Sequence, residues 1–131
     1  MSFLSDEVAD KECVFRGLVH AMLDRNGNPV TGCLKQSNGV SVDRDGGRTD
    51  DEVVRFMDAN RPSQRAPFEK FLKMNVGDVR ANEWDVKAAP VPGNDYHAEM
   101  NEVYPSKHLN QENASAIIKA GKTILKQADA V

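Results

Sequence analysis

Turn-forming residues interrupt this chain so often that its apolar runs never exceed a few residues. Nine glycines and six prolines, joined by clusters of Asn and Asp, leave room only for short strands and short helices. A membrane-spanning helix, which needs about 20 consecutive apolar residues, is excluded by that pattern. So are coiled-coil and fibrous architectures, which need long uninterrupted periodicity. The 131 residues suffice for one hydrophobic core, and 40% hydrophobic residues with a mean hydropathy of −0.56 are ordinary for a folded domain.

Each segment between turn signals carries its own pattern. Residues 1–11 are acidic and weakly patterned and read as a loose leader able to dock, with residues 12–131 as a single α+β domain. Cys13 to Val19 is a first strand, punctuated by Gly17, and Asp24 to Pro29 is a turn built around Asn26-Gly27. Gly39-Val40-Ser41-Val42-Asp43 alternates as a strand. The firmest local signal is Thr49-Asp50-Asp51-Glu52, a capping box: Thr49 and Glu52 can each accept the other's amide, and three acids complement the positive end of a helix. Val53, Val54, Phe56 and Met57 supply an apolar face, and Pro62 closes the element, so a helix is expected over about 50–59.

Phe68 to Arg80 fits either period. Its Gly77-Asp78 reads as a turn, followed by an extended piece around Trp84. Pro90 to Asp95 must be a loop, and Tyr96 to Val103 alternates as a strand. Ala114, Ile117, Ile118 and Gly121 are spaced as one helical face, giving a second main helix over about 110–121. Residues 122–126 either continue that helix or form a closing strand. The expected fold is therefore a single compact α+β domain: a small, mostly antiparallel sheet of short strands with two main helices.

Several motifs match a pattern and fail its chemistry. Ala116 to Thr123 fits a relaxed phosphate-loop expression, yet its loop would lie on an apolar helical face. His97-Ala98-Glu99 has the zinc-deaminase spacing, but no cysteine follows Cys33 to complete a metal shell. The Asp24 and Asp43 clusters lack the glycine and glutamate that a calcium loop needs. His20, His97 and His108 have no close-spaced ligand partner, so no metal site is expected. Cys13 and Cys33 read as buried thiols.

One constellation survives. Phe15-Arg16-Gly17 on an early strand, Ser41 on a central one and Glu99 on a late one occur in that order. The arrangement resembles the arginine–serine–glutamate pattern of ADP-ribosyltransferases. The resemblance implies that Arg16 grips a phosphate or ribose of NAD, that Ser41 orients Glu99, and that Glu99 stabilises an oxocarbenium-like ribose. Val40-Ser41-Val42 departs from the family's serine-threonine-serine, and His97 stands where the family often has a second acid. The glycine-valine-serine-valine-aspartate and histidine-alanine-glutamate segments also resemble those of small bacterial proteins, which implies no activity.

Other features point to binding. Trp84, Tyr96 and His97 are candidates for stacking a base or sugar, with a core anchor as the simpler role for Trp84. Arg44, Arg48, Arg55, Arg61 and Arg65 lie among acids, either as a recognition surface or as a solvated face with local ion pairs. Lys107, Lys119, Lys122 and Lys126 add a modest basic stripe. A net charge of −3 argues against a dedicated nucleic-acid binder. Two cysteines form no disulfide framework, and Met1 to Glu7 has no secretory character, so the expected location is the cytoplasm. The expected function is a module binding a protein partner or small ligand, without a membrane and without a resident cofactor. NAD enters only with the transferase alternative, and the oligomeric state is open.

The capping box carries a quantitative expectation. Thr49→Ala should lower stability by roughly 1 kcal/mol in urea denaturation; an unchanged midpoint would place the helix start elsewhere.

Overall fold

Alternation along Cys13–Leu18 puts Val14 and Leu18 on one face of a strand and Phe15 on the other, all of them fully buried. A strand apolar on both faces must be central, and it is. A computed structural model describes residues 4–34, 39–103 and 110–125. Its elements are β1 (Cys13–Leu18), β2 (Val40–Arg44), α1 (Asp50–Ala59), β3 (Lys70–Asn75), α2 (Val76–Ala81), β4 (Trp84–Ala88), β5 (His97–Glu102), α3 (Asn110–Ala120) and β6 (Lys122–Leu125). All six strands join one antiparallel sheet in the order β4-β5-β2-β1-β3-β6, so the fold class is α+β.

The two faces are covered unequally. Val14, Leu18, Val40, Val42, Leu72, Met74, Val86 and Met100 pack under α2, α3 and a 3-10 turn at Thr31–Leu34. On the other face α1 lays Val53, Val54 and Met57 over Phe15 and Phe71. That cover lies over the β1–β3 half, and Phe56 near its end meets Tyr96 beside β5. Among the described residues, no helix is long and apolar enough to cross a membrane.

The capping box forms as expected. The Glu52 amide donates to Thr49 Oγ1 at 3.2 Å, and the Thr49 amide donates to Glu52 Oε1 at 3.1 Å. Three other segments correct or resolve the expectations. Gly77-Asp78 lies inside a third helix rather than a turn. Asn75 caps α2 by accepting the Asp78 amide at 3.0 Å, and burial of Val76 and Val79 outweighs the poor propensity of Gly77. The strand at Trp84 then begins only at that residue. At the other end Gly121 stops α3, and Lys122–Leu125 pairs with β3, so the closing strand is the alternative that forms.

The leader docks over its described part. Val8 is buried, and the Asp10 carboxylate meets Arg80 at 2.6 Å. Arg44, read above as part of a charged surface, is only 2% exposed and holds this segment in place. Its Nε and Nη2 each donate to the Glu12 carboxylate at 3.0 Å, and its Nη1 donates to the Ser5 carbonyl at 2.7 Å. The physical reason is register: Arg44 shares the face of Val40 and Val42, and the leader lies over it there. Lys119 and Lys122 are exposed, while Lys107 and Lys126 lie outside the described residues.

Burial pushes the Glu12 carboxyl up. Hydrogen bonds from Arg44 and the Ala9 amide, with the Arg44 and Arg80 charges, outweigh that and hold it below its ordinary value of 4.5. The resulting stabilisation is present above about pH 4.5 and is lost as pH falls through the lower folded value. Glu12→Ala strands a buried guanidinium and should cost about 3–5 kcal/mol at pH 7 in urea denaturation, with a flatter acid limb. A cost below about 1 kcal/mol would contradict this role for the pair.

Candidate functional site: a cavity where the sheet opens

The ladder between β1 and β2 stops after two pairs, Val14 with Arg44 and Phe15 with Asp43. By contrast, β1 pairs with β3 along its whole length. The backbone polar groups of Cys13, Phe15 and Gly17 point toward β2, since Cys13 O accepts the Asp45 amide at 2.9 Å and the direction repeats every second residue. Those of Ser41 and Asp43 point back toward β1, because the Arg44 amide donates the other way, to Tyr96 O at 2.8 Å. Gly17 and Ser41 would therefore form the next hydrogen-bonded pair. The strands part there instead.

Arg16 occupies the opening. Its side chain leaves β1 on the face of Val14 and Leu18, opposite that of Ser41 and Glu99, and turns into the gap. There Nη1 donates to the Ser41 carbonyl at 3.0 Å and Nε to the Cys33 carbonyl at 3.2 Å. A side chain thus satisfies the acceptor that the missing ladder leaves behind. Gly17 is required beside it, because a Cβ at that position would lie 2.4 Å from the Phe68 ring. Phe68 in turn packs edge-on against Phe71, with ring centroids 5.4 Å apart.

The opening continues into a cavity of about 620 Å³. Arg16, Gly17, Ser41, Asp43 and His97 line it from the sheet, and Phe56 and Met57 from the end of α1. Two loops complete it, one carrying Arg61, Pro62, Arg65 and Phe68, the other Val91 to Asn94. The second loop is a tight turn through Pro92-Gly93, where Gly93 takes the φ of +84° that the turn demands. The Val91 and Asn94 backbones close the turn with bonds of 2.9 and 3.1 Å.

Polar groups in the cavity are held in place. Asp43 is 6% exposed, and Asn94 Nδ2 donates to both its oxygens at 3.2 and 3.3 Å. Burial raises its pKa, against the lowering effects of Asn94, Arg48 and His97. His97, directly across the ladder from Asp43, has Nδ1 2.8 Å from the Ala89 carbonyl. That contact fixes the proton on Nδ1 and leaves Nε2 as the acceptor of the neutral ring. Arg16 is pulled below the ordinary guanidinium value mainly by burial and further by the neighbouring Arg65 charge, against the Cys33 thiol.

The residues expected from sequence divide sharply. Arg16, Ser41 and His97 meet at this cavity, whereas Glu99 does not line it, although it stands opposite Ser41 on the adjacent strand. Of the three residues that the transferase resemblance implies, the cavity thus gathers Arg16 and Ser41, and Glu99 stands outside its lining. Tyr96 lies outside the lining, with the Arg48 guanidinium 3.5 Å above its ring and Phe56 against it edge-on at 5.9 Å. Trp84 does not join Tyr96 and His97. It is 3% exposed within the core on the other face of the sheet, because its register matches Val86.

Burial pushes the Cys33 thiol up to about 11 and also raises Cys13, so neither is a thiolate at neutral pH. Among the described residues, no group of three or more His, Cys, Asp or Glu side chains is placed to hold a metal ion. A second cavity, also about 620 Å³, lies beneath the docked leader. Arg44 pairs there with Glu12 and Arg80 with Asp10, and Glu7, Lys11 and Asp45 also line it. Sequence reasoning missed Asp43 and Asn94 as site residues. An acid ending an apolar strand was the available signal for the first. No family model and no curated protein matches this chain, and no solved structure matches its fold.

Proposed function

We propose that this protein is a cytoplasmic small-molecule-binding domain whose ligand occupies the cavity between β1 and β2. The observation that carries the reading is the interrupted ladder. An antiparallel pair that could continue through Gly17 and Ser41 instead gives way to a cavity of about 620 Å³. Small-ligand sites fall at roughly 300–1,000 Å³ and combine apolar walls with a few fixed polar groups. Phe56, Met57, Phe68 and Pro92 supply such walls here, and Arg16, Asp43, Asn94 and His97 supply such groups. Their geometry is set before any ligand arrives, by Ser41 O, Ala89 O and the Asp43–Asn94 pair, which lowers the ordering cost of binding.

The test is a fragment screen followed by two-dimensional amide NMR on the uniformly labelled protein. Binding fragments should perturb the amides of Gly17, Ser41, Asn94 and His97 together. Perturbations confined to Asp45–Gly47 beneath the leader, or no binder among neutral, cationic and anionic fragments, would overturn the reading.

A further inference from the structure

Asp43 and His97 stand side by side in the cavity wall. They are register partners across β2 and β5, and they form a non-hydrogen-bonded pair, since the neighbouring Arg44 amide donates to Tyr96 O. Side chains of such a pair lie closest together, with Cα atoms about 4.5 Å apart. Among the described residues one group donates to the Asp43 carboxylate: Asn94 Nδ2, at 3.2 and 3.3 Å from its two oxygens. The Tyr96 amide donates to Asn94 Oδ1 at 2.9 Å, which turns that Nδ2 toward Asp43. Arg48 acts on the carboxylate through its charge, while its Nε and Nη2 donate to the Asp45 and Arg44 carbonyls at 3.1 and 2.8 Å.

A carboxylate offers about four lone-pair sites, two on each oxygen. One amide nitrogen shared between the oxygens leaves a site on each, and together these make a fork. Burial outweighs the favourable effects of Asn94, Arg48 and His97, so the protein alone under-compensates a charge at Asp43. Beside the fork, His97 Nδ1 is engaged by Ala89 O, and Nε2 is a further acceptor with no protein donor among the described residues. This stretch of wall is therefore rich in acceptors. Arg16 and Arg65 repel one another at the same cavity, which disfavours a cationic donor there. Phe56 and Met57 offer an apolar surface at the end of α1.

From this arrangement we infer that the ligand is a neutral planar heterocycle with an amino group beside a ring N–H, the edge of an aminopyrimidinone. The ring N–H and one amino hydrogen meet the two Asp43 oxygens, the second amino hydrogen meets His97 Nε2, and the ring lies against Phe56 and Met57. The inference rests on the cavity being the ligand site. Four probes separate the two claims. Isocytosine carries the full edge, pyrimidinone is the same ring without the amino group, benzamidine presents the fork as a cation, and phenol lacks it. Each is titrated into the wild type and Asp43→Asn, read by NMR at the Ser41, Asn94 and His97 amides and the His97 ring nitrogens.

Isocytosine should bind the wild type, perturb those amides and shift the His97 Nε2 resonance, with pyrimidinone and benzamidine at least about tenfold weaker. Asp43→Asn replaces one carboxylate acceptor by a donor at nearly constant volume and should lower isocytosine affinity at least about tenfold. The comparison of probes on the wild type reads the same contact without a substitution, so it decides if the variant does not fold. Equal binding of isocytosine and pyrimidinone, or tighter binding of benzamidine, would overturn the inference, as would unchanged isocytosine affinity in a folded Asp43→Asn. Binding of phenol or any other fragment at the same amides, with isocytosine inert, would overturn it while leaving the cavity reading intact. No perturbation by these probes or by the wider fragment set would overturn both.

Discussion

Arg16 stands where a backbone pair should be, and the layout of the site follows from that exchange. An antiparallel ladder is self-propagating, because each pair positions the next. Ending it in mid-sheet leaves a carbonyl and an amide on each side that need other partners. Here the guanidinium takes the Ser41 carbonyl and, with its second donor, the Cys33 carbonyl, so it ties β2 and the Thr31–Leu34 turn to β1 across the opening. A charged group performs the role because a guanidinium carries several donors in a rigid plane, which no neutral side chain offers. Within the sheet, the halves β4-β5-β2 and β1-β3-β6 meet at a two-pair ladder with the Cys13–Asp45 bond at one end and the Arg16 side chain at the other.

The unequal cover of the sheet turns this opening into a site. On one face α2 and α3 close the core across both halves. On the other, α1 covers Phe15 and Phe71 but stops short of Asp43 and His97, which are left to two loops. Loops carry polar groups more cheaply than a core does, because their backbone remains near water. A second buried arginine, Arg44, serves a different end: its bonds to Glu12 and the Ser5 carbonyl clamp the leader to the strand just past the point where the ladder runs intact. One arginine fastens the closed end of the β1–β2 pair and the other bridges its open end.

Local physics was legible in the sequence, and contacts across the chain were not. The capping box at Thr49 and Glu52 depends on residues three apart, so α1 could be placed to the residue. Alternation placed β2 and β5 within a residue or two, and the Gly121 break admitted the final strand as one of two outcomes. By contrast α2 was hidden, because Gly77 and Asp78 carry turn propensity and only tertiary burial of Val76 and Val79 overrides it. Arg16 and Ser41 were singled out together, but for a catalytic cleft with Glu99. Strand register, which sets the face of each side chain, separates Arg16 from Glu99 and cannot be read without knowing which strands pair. The loops bearing Arg61, Arg65 and Asn94 showed only as charged or turn-rich stretches, since nothing local indicates that they converge.

The central claim is that β1 and β2 part after Phe15 and Asp43, and native-state amide hydrogen exchange of the ligand-free protein reads it directly. Phe15 and Asp43 form the last hydrogen-bonded pair and should exchange slowly, close to the rate set by global unfolding. Gly17 and Ser41, facing each other across the opening, should exchange faster by on the order of a hundredfold or more. Equal protection of Gly17, Ser41, Phe15 and Asp43 would mean that the ladder continues, that the sheet is closed, and that no cavity exists between its halves.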